Sequence, residues 1–405
     1  MKKLLALFLV VGTLVLLVAC NGGTGGDLKE SDYTQPTSTQ DDESKQEGES
    51  KQESNTEIES EDMQESETEK ADGNGEGNDQ PPKIQTQGYV LAVSTSTHSN
   101  SNYDLPNGMS MFYLLSDGTF LVFDGGQGIA ASSIDAHHLY KQLRAVADEN
   151  GIEQIVVSAW VITHAHRDHY GFGQVFFSTY QNEVQINSFL YNAVAGNSAS
   201  QTVKKMLSSN YPTAKIFSLD VGTCIWLADV QVEVLMTPEA LTADKPNAIN
   251  EDFNNSSLVL KLTVGNKTVL MTGDASKAAW EWLAETYPAV DGVSKLKSDV
   301  LQVPHHGAKT AGTTAGYALV DPDVLVYPAG ARLYERCVNP KYSNYQESTA
   351  VLISNTAKKH GDTTLDPTDL NALIEKEYFF LAGEYLGTEQ ELASTRQCFL
   401  KASES

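Results

Sequence analysis

The chain has 405 residues, 40% of them hydrophobic, and a formal net charge of −25. That is apolar content for one large or two ordinary globular domains, while the acid excess argues against broad, nonspecific grip on nucleic acid, which rests on Lys and Arg facing phosphates. Four cysteines without a CxxC spacing exclude zinc-ribbon and thioredoxin-like redox chemistry.

Residues 1–20 read as a bacterial secretion signal: Lys2 and Lys3, an apolar run from Leu4 to Val18, then Leu17-Val18-Ala19-Cys20. The run is shorter than a membrane span usually needs. A cysteine at that place resembles the lipobox of bacterial lipoproteins, whose thiol receives a diacylglyceryl group, and two acyl chains suffice for stable anchoring. The expectation is a lipid on Cys20 and a protein held at the extracellular face of the cell membrane, against the alternative of an uncleaved anchor with an incidental cysteine. Residues 21–85 carry 19 Asp and Glu against 5 Lys and Arg, with Tyr33 as their only aromatic residue. They cannot bury enough apolar surface to offset the entropy of ordering, so they are expected to form a disordered acidic linker, extended by its own repulsion. More than half of the net charge sits there. Cys224, Cys337 and Cys398 remain, an odd set in which one disulfide and buried free thiols are equally compatible with the sequence.

Residues 86–405 read as one domain. Segments 89–93, 111–115 and 120–123 are β-like, the last two joined as a hairpin across Ser116-Asp117-Gly118. A helix is predicted over 134–147, with Leu139, Leu143 and Val146 on one face. His137 and His138 on that helix are read as surface or satisfied polar residues, since nothing beside them completes a metal set. Further strands are predicted in 230–236, 257–274 (turning at Gly265-Asn266) and 299–307, and helices over 277–286 and 346–359. Segment 337–361 reads as a loop and helix ending at a capping His360, and 377–387 as a terminal strand pair. Strand-rich segments 88–270 and 271–405, each interleaved with helices, suggest two parts of one core: two facing sheets with helices outside.

Three of the nine histidines crowd into "VITHAHRDHYG" (161–171), just after the apolar run 155–160. His164, His166, Asp168 and His169 supply imidazole nitrogens and a carboxylate, the donor set of zinc and similar borderline metals. On an ideal helix His164 and His166 would point about 200° apart, whereas a strand running into a loop can turn both toward one ion. Unpaired, such a cluster would be costly to bury. Asp274 closes the apolar strand 269–273, and His305-His306-Gly307 follows 300–304, so three strand ends carry metal-type ligands.

These segments, "THAHRDH", "TGD" and "PHHG", with "VFDGG" (122–126), resemble the ordered motifs of the metallo-β-lactamase superfamily. "NNSSLVLKL" (254–262) before "VLMTGD" narrows the resemblance to the branch that includes the extracellular domain of the DNA-uptake protein ComEC. It spans about residues 88–330 and implies an α/β (α+β) αββα sandwich with a two-metal site at the edge of the sheets. By that resemblance His164 and His166 would bind a first metal, Asp168 and His169 a second, and Asp274 would bridge them. His306, standing directly before the glycine, is preferred over His305 as the second metal's remaining ligand. His305 would lie at the rim as an oxyanion donor or general acid, and Asp124 would brace the histidine loop from behind. One departure matters: residues 170–304 contain no histidine. The first metal is then left with His164, His166 and Asp274, which disfavours an antibiotic-hydrolysing β-lactamase. Asn254 and Asn255 are candidates for the gap by position alone.

The expected cofactor is zinc, as two ions with the first more weakly held, and the expected reaction is hydrolysis by a hydroxide generated at the metals and oriented by Asp168. Phosphodiesters, of DNA or of teichoic-acid type, are the preferred substrates. Lys309 and Arg332 are placed to meet a phosphate, although solvated surface cations are the simpler reading. Nucleic acid enters only as substrate, the membrane only through Cys20, and no protein partner is inferred. The alternatives are an ester or lactone hydrolase with the same site and a noncatalytic, metal-stabilised binding lipoprotein.

Overall fold

The computed structural model describes residues 83–94, 108–127, 132–385 and 396–402. The signal, Cys20 and nearly all of the expected linker lie outside the described residues. The linker's last three residues, 83–85, fall inside them, and Ile84 already packs against the core of the first sheet. The described residues all belong to one compact unit. Among the described residues no helix is long and apolar enough to cross a membrane.

In chain order the strands are β1 (Gln87–Leu91), β2 (Val93–Ser94), β3 (Met111–Leu114), β4 (Phe120–Phe123), β5 (Ile155–Val161), β6 (Val184–Ile186), β7 (Ser188–Leu190), β8 (Lys215–Phe217), β9 (Cys224–Leu227), β10 (Val230–Met236), β11 (Val259–Val264), β12 (Lys267–Met271), β13 (Val300–Gln302), β14 (Val324–Tyr327), β15 (Phe379–Leu381), β16 (Glu384–Tyr385) and β17 (Arg396–Lys401). One sheet runs β17-β1-β3-β4-β5-β7-β8, with β6 also on β5; the other runs β15-β14-β13-β12-β11-β10-β9, and β2 pairs with β16 apart from both.

Alternation along the strands builds the layers. Met111 and Tyr113 of β3, Val161 of β5, Val232 of β10, and Val269 and Met271 of β12 meet between the sheets. Phe112 and Leu114 turn the other way and pack with Leu139, Phe176 and Val203 from the helices Ser132–Glu149, Gly173–Thr179 and Ser198–Asn210. On the far side, Leu270 and Leu301 pack with Trp280, Tyr317, Tyr334 and Ile353 from Lys277–Thr286, Thr314–Val320, Ala331–Val338 and Glu347–Lys359. The result is the expected αββα sandwich, each fully buried apolar side chain contributing about 1.5–3 kcal/mol.

Two expectations need correction. The two sheets divide near residue 220 rather than at 270, because β9–β11 pair among themselves and with β12, and β17 returns from the C-terminal end to the first sheet. The two strands expected in segment 377–387 do not pair with each other: β15 lies parallel to β14 and β16 parallel to β2, the short Ala382-Gly383 link sending them to different sheets. The helix Ala331–Val338 was not anticipated, although its buried Leu333, Tyr334, Cys337 and Val338 follow helical spacing.

Topology also positions the ligand-bearing loops. β4 and β5 are parallel neighbours in the first sheet, and β12, β13 and β14 are parallel neighbours in the second. Asp124, His164, Asp274, His306 and Pro328 all follow the carboxyl ends of these strands, the end at which open α/β sheets bind ligands. The Leu258 N–H donates to the Thr163 carbonyl at 3.0 Å, joining the loops of the two sheets.

Candidate metal centre

β5 ends at Val161, and the chain leaves the sheet through Thr163, bends at Ala165 and reaches His166, whose extended φ/ψ of −85°/149° precede the short helix Arg167–Tyr170. That stretch brings the His164 and His166 rings to 4.7 Å between centroids, and the helical turn brings His169 to 4.2 Å from His164. Asp124 holds this loop. Its carboxylate accepts from Thr163 N–H (2.7 Å), Thr163 Oγ1 (2.8 Å) and His169 Nδ1 (2.7 Å). With Nδ1 so engaged, His169 presents Nε2, which lies 3.0 Å from Asp274 Oδ2.

Asp274 is set by Gly273, at φ +52°, where an added Cβ would come within 2.8 Å of Thr163. Its N–H donates to Ser257 Oγ at 3.0 Å. The buried Gln302 clamps this turn to β13, accepting from Thr272 N–H at 2.7 Å and donating to the Gly273 carbonyl at 3.0 Å. His306 follows on the turn Pro304–Gly307, and its Nδ1 donates to the Pro328 carbonyl at 2.6 Å. Its Nε2 is thereby turned inward, 3.4 Å from Asp168 Oδ2 and 3.6 Å from Asp274 Oδ2.

Asp168, His169, Asp274 and His306 thus offer donor atoms all within 4.8 Å of one another, the four assigned above to the second metal. His164 and His166 stand beside them, closed over by the Phe253 ring at 6.5 Å and 5.2 Å. The donor set fits divalent cations on an observation independent of the resemblance: His164 Nε2 and Asp274 Oδ1 are buried without a hydrogen bond, and the buried Nε2 atoms of His169 and His306 meet only the carboxylates of the same cluster. Native structures rarely leave such groups unsatisfied, because each costs about 1–3 kcal/mol. Nitrogen and carboxylate donors at this spacing suit zinc and its neighbours.

The charges are opposed. Burial pushes His164 and His166 below the usual histidine range. Burial also disfavours charge on His169 and His306, but Asp274, with Asp124 and Asp168 respectively, outweighs it and raises both. Asp168 and Asp274 stay ionised, well below the ordinary carboxylate range, since the adjacent imidazoles overcome the cost of burial.

The other sequence candidates separate cleanly. His305 is half-buried; its Nε2 lies 3.2 Å from Asn254 Nδ2 and its Nδ1 3.2 Å from Thr310 Oγ1. Lys309 and Arg332 are exposed. His137 contacts the Tyr180 hydroxyl and His138 is buried in the same helix, both away from the cluster. His360 caps its helix as expected, its N–H donating to the Ala357 and Lys358 carbonyls, and its ring also reaches another element: Nε2 donates to the Asp323 carbonyl at 2.8 Å and the ring stacks on Tyr378 at 4.4 Å. Cys224, Cys337 and Cys398 are free thiols. Phe253, Ser257, Gln302 and the Pro328 carbonyl were not anticipated; an aromatic wall and a backbone acceptor leave no motif, whereas Thr163 was visible as the first letter of "THAHRDH".

Comparison with known proteins agrees with this geometry. The family described as the Metallo-beta-lactamase superfamily matches residues 105–330. The chain is 25% identical to ComE operon protein 3 of Bacillus subtilis (strain 168) over 230 residues, 56% of this chain and 25% of that protein. It is 23% identical to Recombination protein 2 of Haemophilus influenzae over 238 residues, 59% of this chain and 25% of that one. The chain therefore spans about a quarter of the length of these curated relatives. The solved metallo-beta-lactamase fold protein YhfI from Bacillus subtilis is similar at 13% identity and a TM-score of 0.32, over 54% of this chain and 70% of that one.

Proposed function

The chain belongs to the metallo-β-lactamase superfamily, and from that premise we propose that it is a metal-dependent phosphodiester hydrolase held at the outer face of the cell membrane by a lipid on Cys20. The observation that carries the reading is the convergence of His164, His169, Asp274 and His306, whose inward atoms are buried with no hydrogen-bond partner outside the cluster. Relatives named for competence and recombination support an envelope setting and a phosphodiester substrate.

His164, His166 and Asp274 would hold one cation and Asp168, His169, Asp274 and His306 a second. Such cations supply Lewis acidity to a scissile phosphoryl or acyl group and ease the ionisation of solvent near neutral pH. The chain's own residues do the rest. Asp168, 21% exposed, is with His166 one of the two ligand side chains that are not fully buried, so its carboxylate can orient an attacking water from the open side. His305 stands at the rim, where an imidazole can deliver a proton to a leaving oxygen. Asp124 and the Pro328 carbonyl fix the tautomers of His169 and His306, leaving the inward nitrogens unprotonated once the cations are bound.

The test is hydrolysis of bis(p-nitrophenyl) phosphate by the purified protein, abolished by chelator, restored by added zinc and absent in His166→Ala. A protein that binds zinc and cleaves ester or lactone substrates but no phosphodiester would move the assignment to acyl hydrolysis. Zinc binding without any hydrolysis would make it a binding lipoprotein.

A further inference from the structure

The first metal position is short of a donor, and the turn Phe253–Ser256 carries one. Asp252 anchors that turn: its carboxylate accepts from Asn254 N–H at 3.1 Å and from Ser276 Oγ at 2.7 Å, tying it to the segment just beyond Asp274. Phe253 lies against His166 and His164, so the turn covers the first pair of histidines. Its two asparagines differ. Asn255 is committed at both ends, donating to the Ala248 carbonyl and accepting from Ala279 N–H, each at 3.0 Å. Asn254 is 6% exposed, points Nδ2 toward His305 Nε2, and lies beside His166. Its Oδ1 is buried with no partner outside the cluster, its nearest one being the imidazole of His166, itself a ligand of the first position, much as the inward atoms of His164, His169, Asp274 and His306 have none outside it.

The geometry points to Asn254 Oδ1 as the donor that completes the first metal position beside His164, His166 and Asp274, in place of the histidine missing from residues 170–304. This rests on the metal-site reading above and adds a ligand to it. A carboxamide oxygen in place of an imidazole makes the position harder, shifting its preference from zinc toward manganese and magnesium. The Nδ2 contact with His305 fixes the amide plane, so the rim histidine positions the ligand without binding metal itself.

The test titrates zinc alone into the metal-free full-length protein, reading stoichiometry by elemental analysis after dialysis and affinity by chelator competition. Wild type is expected to take up about two zinc ions, Asn254→Ala about one, and His305→Ala about two. An Asn254→Ala protein that retains both ions at wild-type affinity overturns the assignment. Should circular dichroism show that metal-free Asn254→Ala does not fold, Asn254→Asp decides. An anionic oxygen at the same place is expected to tighten the weaker zinc by about tenfold, and unchanged or weakened binding overturns the inference. A wild-type protein that binds one zinc, lost in His169→Ala but kept in Asn254→Ala, refutes this ligand alone; one that binds none refutes the metal site as a whole.

Discussion

Replacing Asp124 by asparagine isolates the brace behind the metal centre, because it keeps the shape and removes one acceptor. In the native site one oxygen takes the Thr163 N–H at 2.7 Å and the other takes Thr163 Oγ1 at 2.8 Å and His169 Nδ1 at 2.7 Å. In Asp124→Asn the amide oxygen can keep the Thr163 N–H, which leaves an NH2 facing His169. Nδ1 must then become the acceptor and the ring proton must move to Nε2, 3.0 Å from Asp274 Oδ2, where a metal would bind. Returning the proton to Nδ1 sets two donors against each other in a fully buried space, at about 1–3 kcal/mol. That corresponds to roughly a tenfold to hundredfold loss of zinc affinity, the range found when an outer partner of a metal-bound histidine is removed. Chelator competition with zinc measures it, and urea denaturation of the metal-free variant establishes that the fold survives. If Asp124→Asn binds zinc as tightly as wild type at the same pH, the tautomer argument is wrong.

His138 is buried, and desolvation, with His137 and Lys141 nearby, pulls its pKa down to about 4. The unfolded chain therefore takes that proton first: the stability is present in full above about pH 6.5 and falls as the pH drops toward 4, by up to roughly 3 kcal/mol. His138→Gln should flatten the loss of urea midpoint between pH 7 and 4; an unaltered slope would assign the acid sensitivity elsewhere. Gly307→Ala places a Cβ 1.7 Å from the Tyr327 hydroxyl at a residue with φ +73°, so the turn carrying His306 must shift. A stability loss of at least about 2 kcal/mol together with weakened zinc binding is expected, and a variant that keeps both would show that the turn has room to relax. Burial pushes the Cys337 thiol up to about 12 and raises Cys398, while Cys224 is exposed. Of these three, only Cys224 should react rapidly with a thiol reagent at pH 8, and Cys337 should react only on unfolding.

The candidate ligands were legible because they follow short apolar runs that read as buried strands: 155–161, 269–273 and 300–304 each deliver a metal-type side chain at a carboxyl end. Their convergence was not legible from any one run, since it depends on β4–β5 and β12–β14 being parallel within two different sheets. Strands on the second sheet's far edge were harder. β9 has alternating exposed and half-buried residues, a pattern too weak to separate from loop, and the return of β17 to β1 joins residues about 300 positions apart with no local signal. Asn254 and Asn255 could not be told apart in sequence either. What separates them is which amide finds backbone partners, and that depends on Ala248 and Ala279 arriving from two other elements.

Backbone strain marks the same place as the buried donors. Among the described residues, non-glycine positive φ occurs at Asp124 (58°), His305 (47°), His306 (51°) and Thr310 (75°) around the site, and otherwise at Ala228, Asp291 and Asp321. Aspartate and histidine enter that region more readily than most residues, but two consecutive histidines and a β-branched threonine there still carry about 1–3 kcal/mol each. A turn selected for stability alone would carry glycine or asparagine there. The cost is tolerated because the turn is over-determined: Gln302 and the Gly273 carbonyl hold its start, the Pro328 carbonyl holds the His306 ring, and the Tyr327 hydroxyl leaves room only for Gly307. Two neighbouring imidazoles are thereby sent to different duties, His306 inward among the carboxylates and His305 to the rim beside Asn254. A relaxed extended strand would also separate adjacent side chains, but it would turn one of them into the packed core rather than toward the rim.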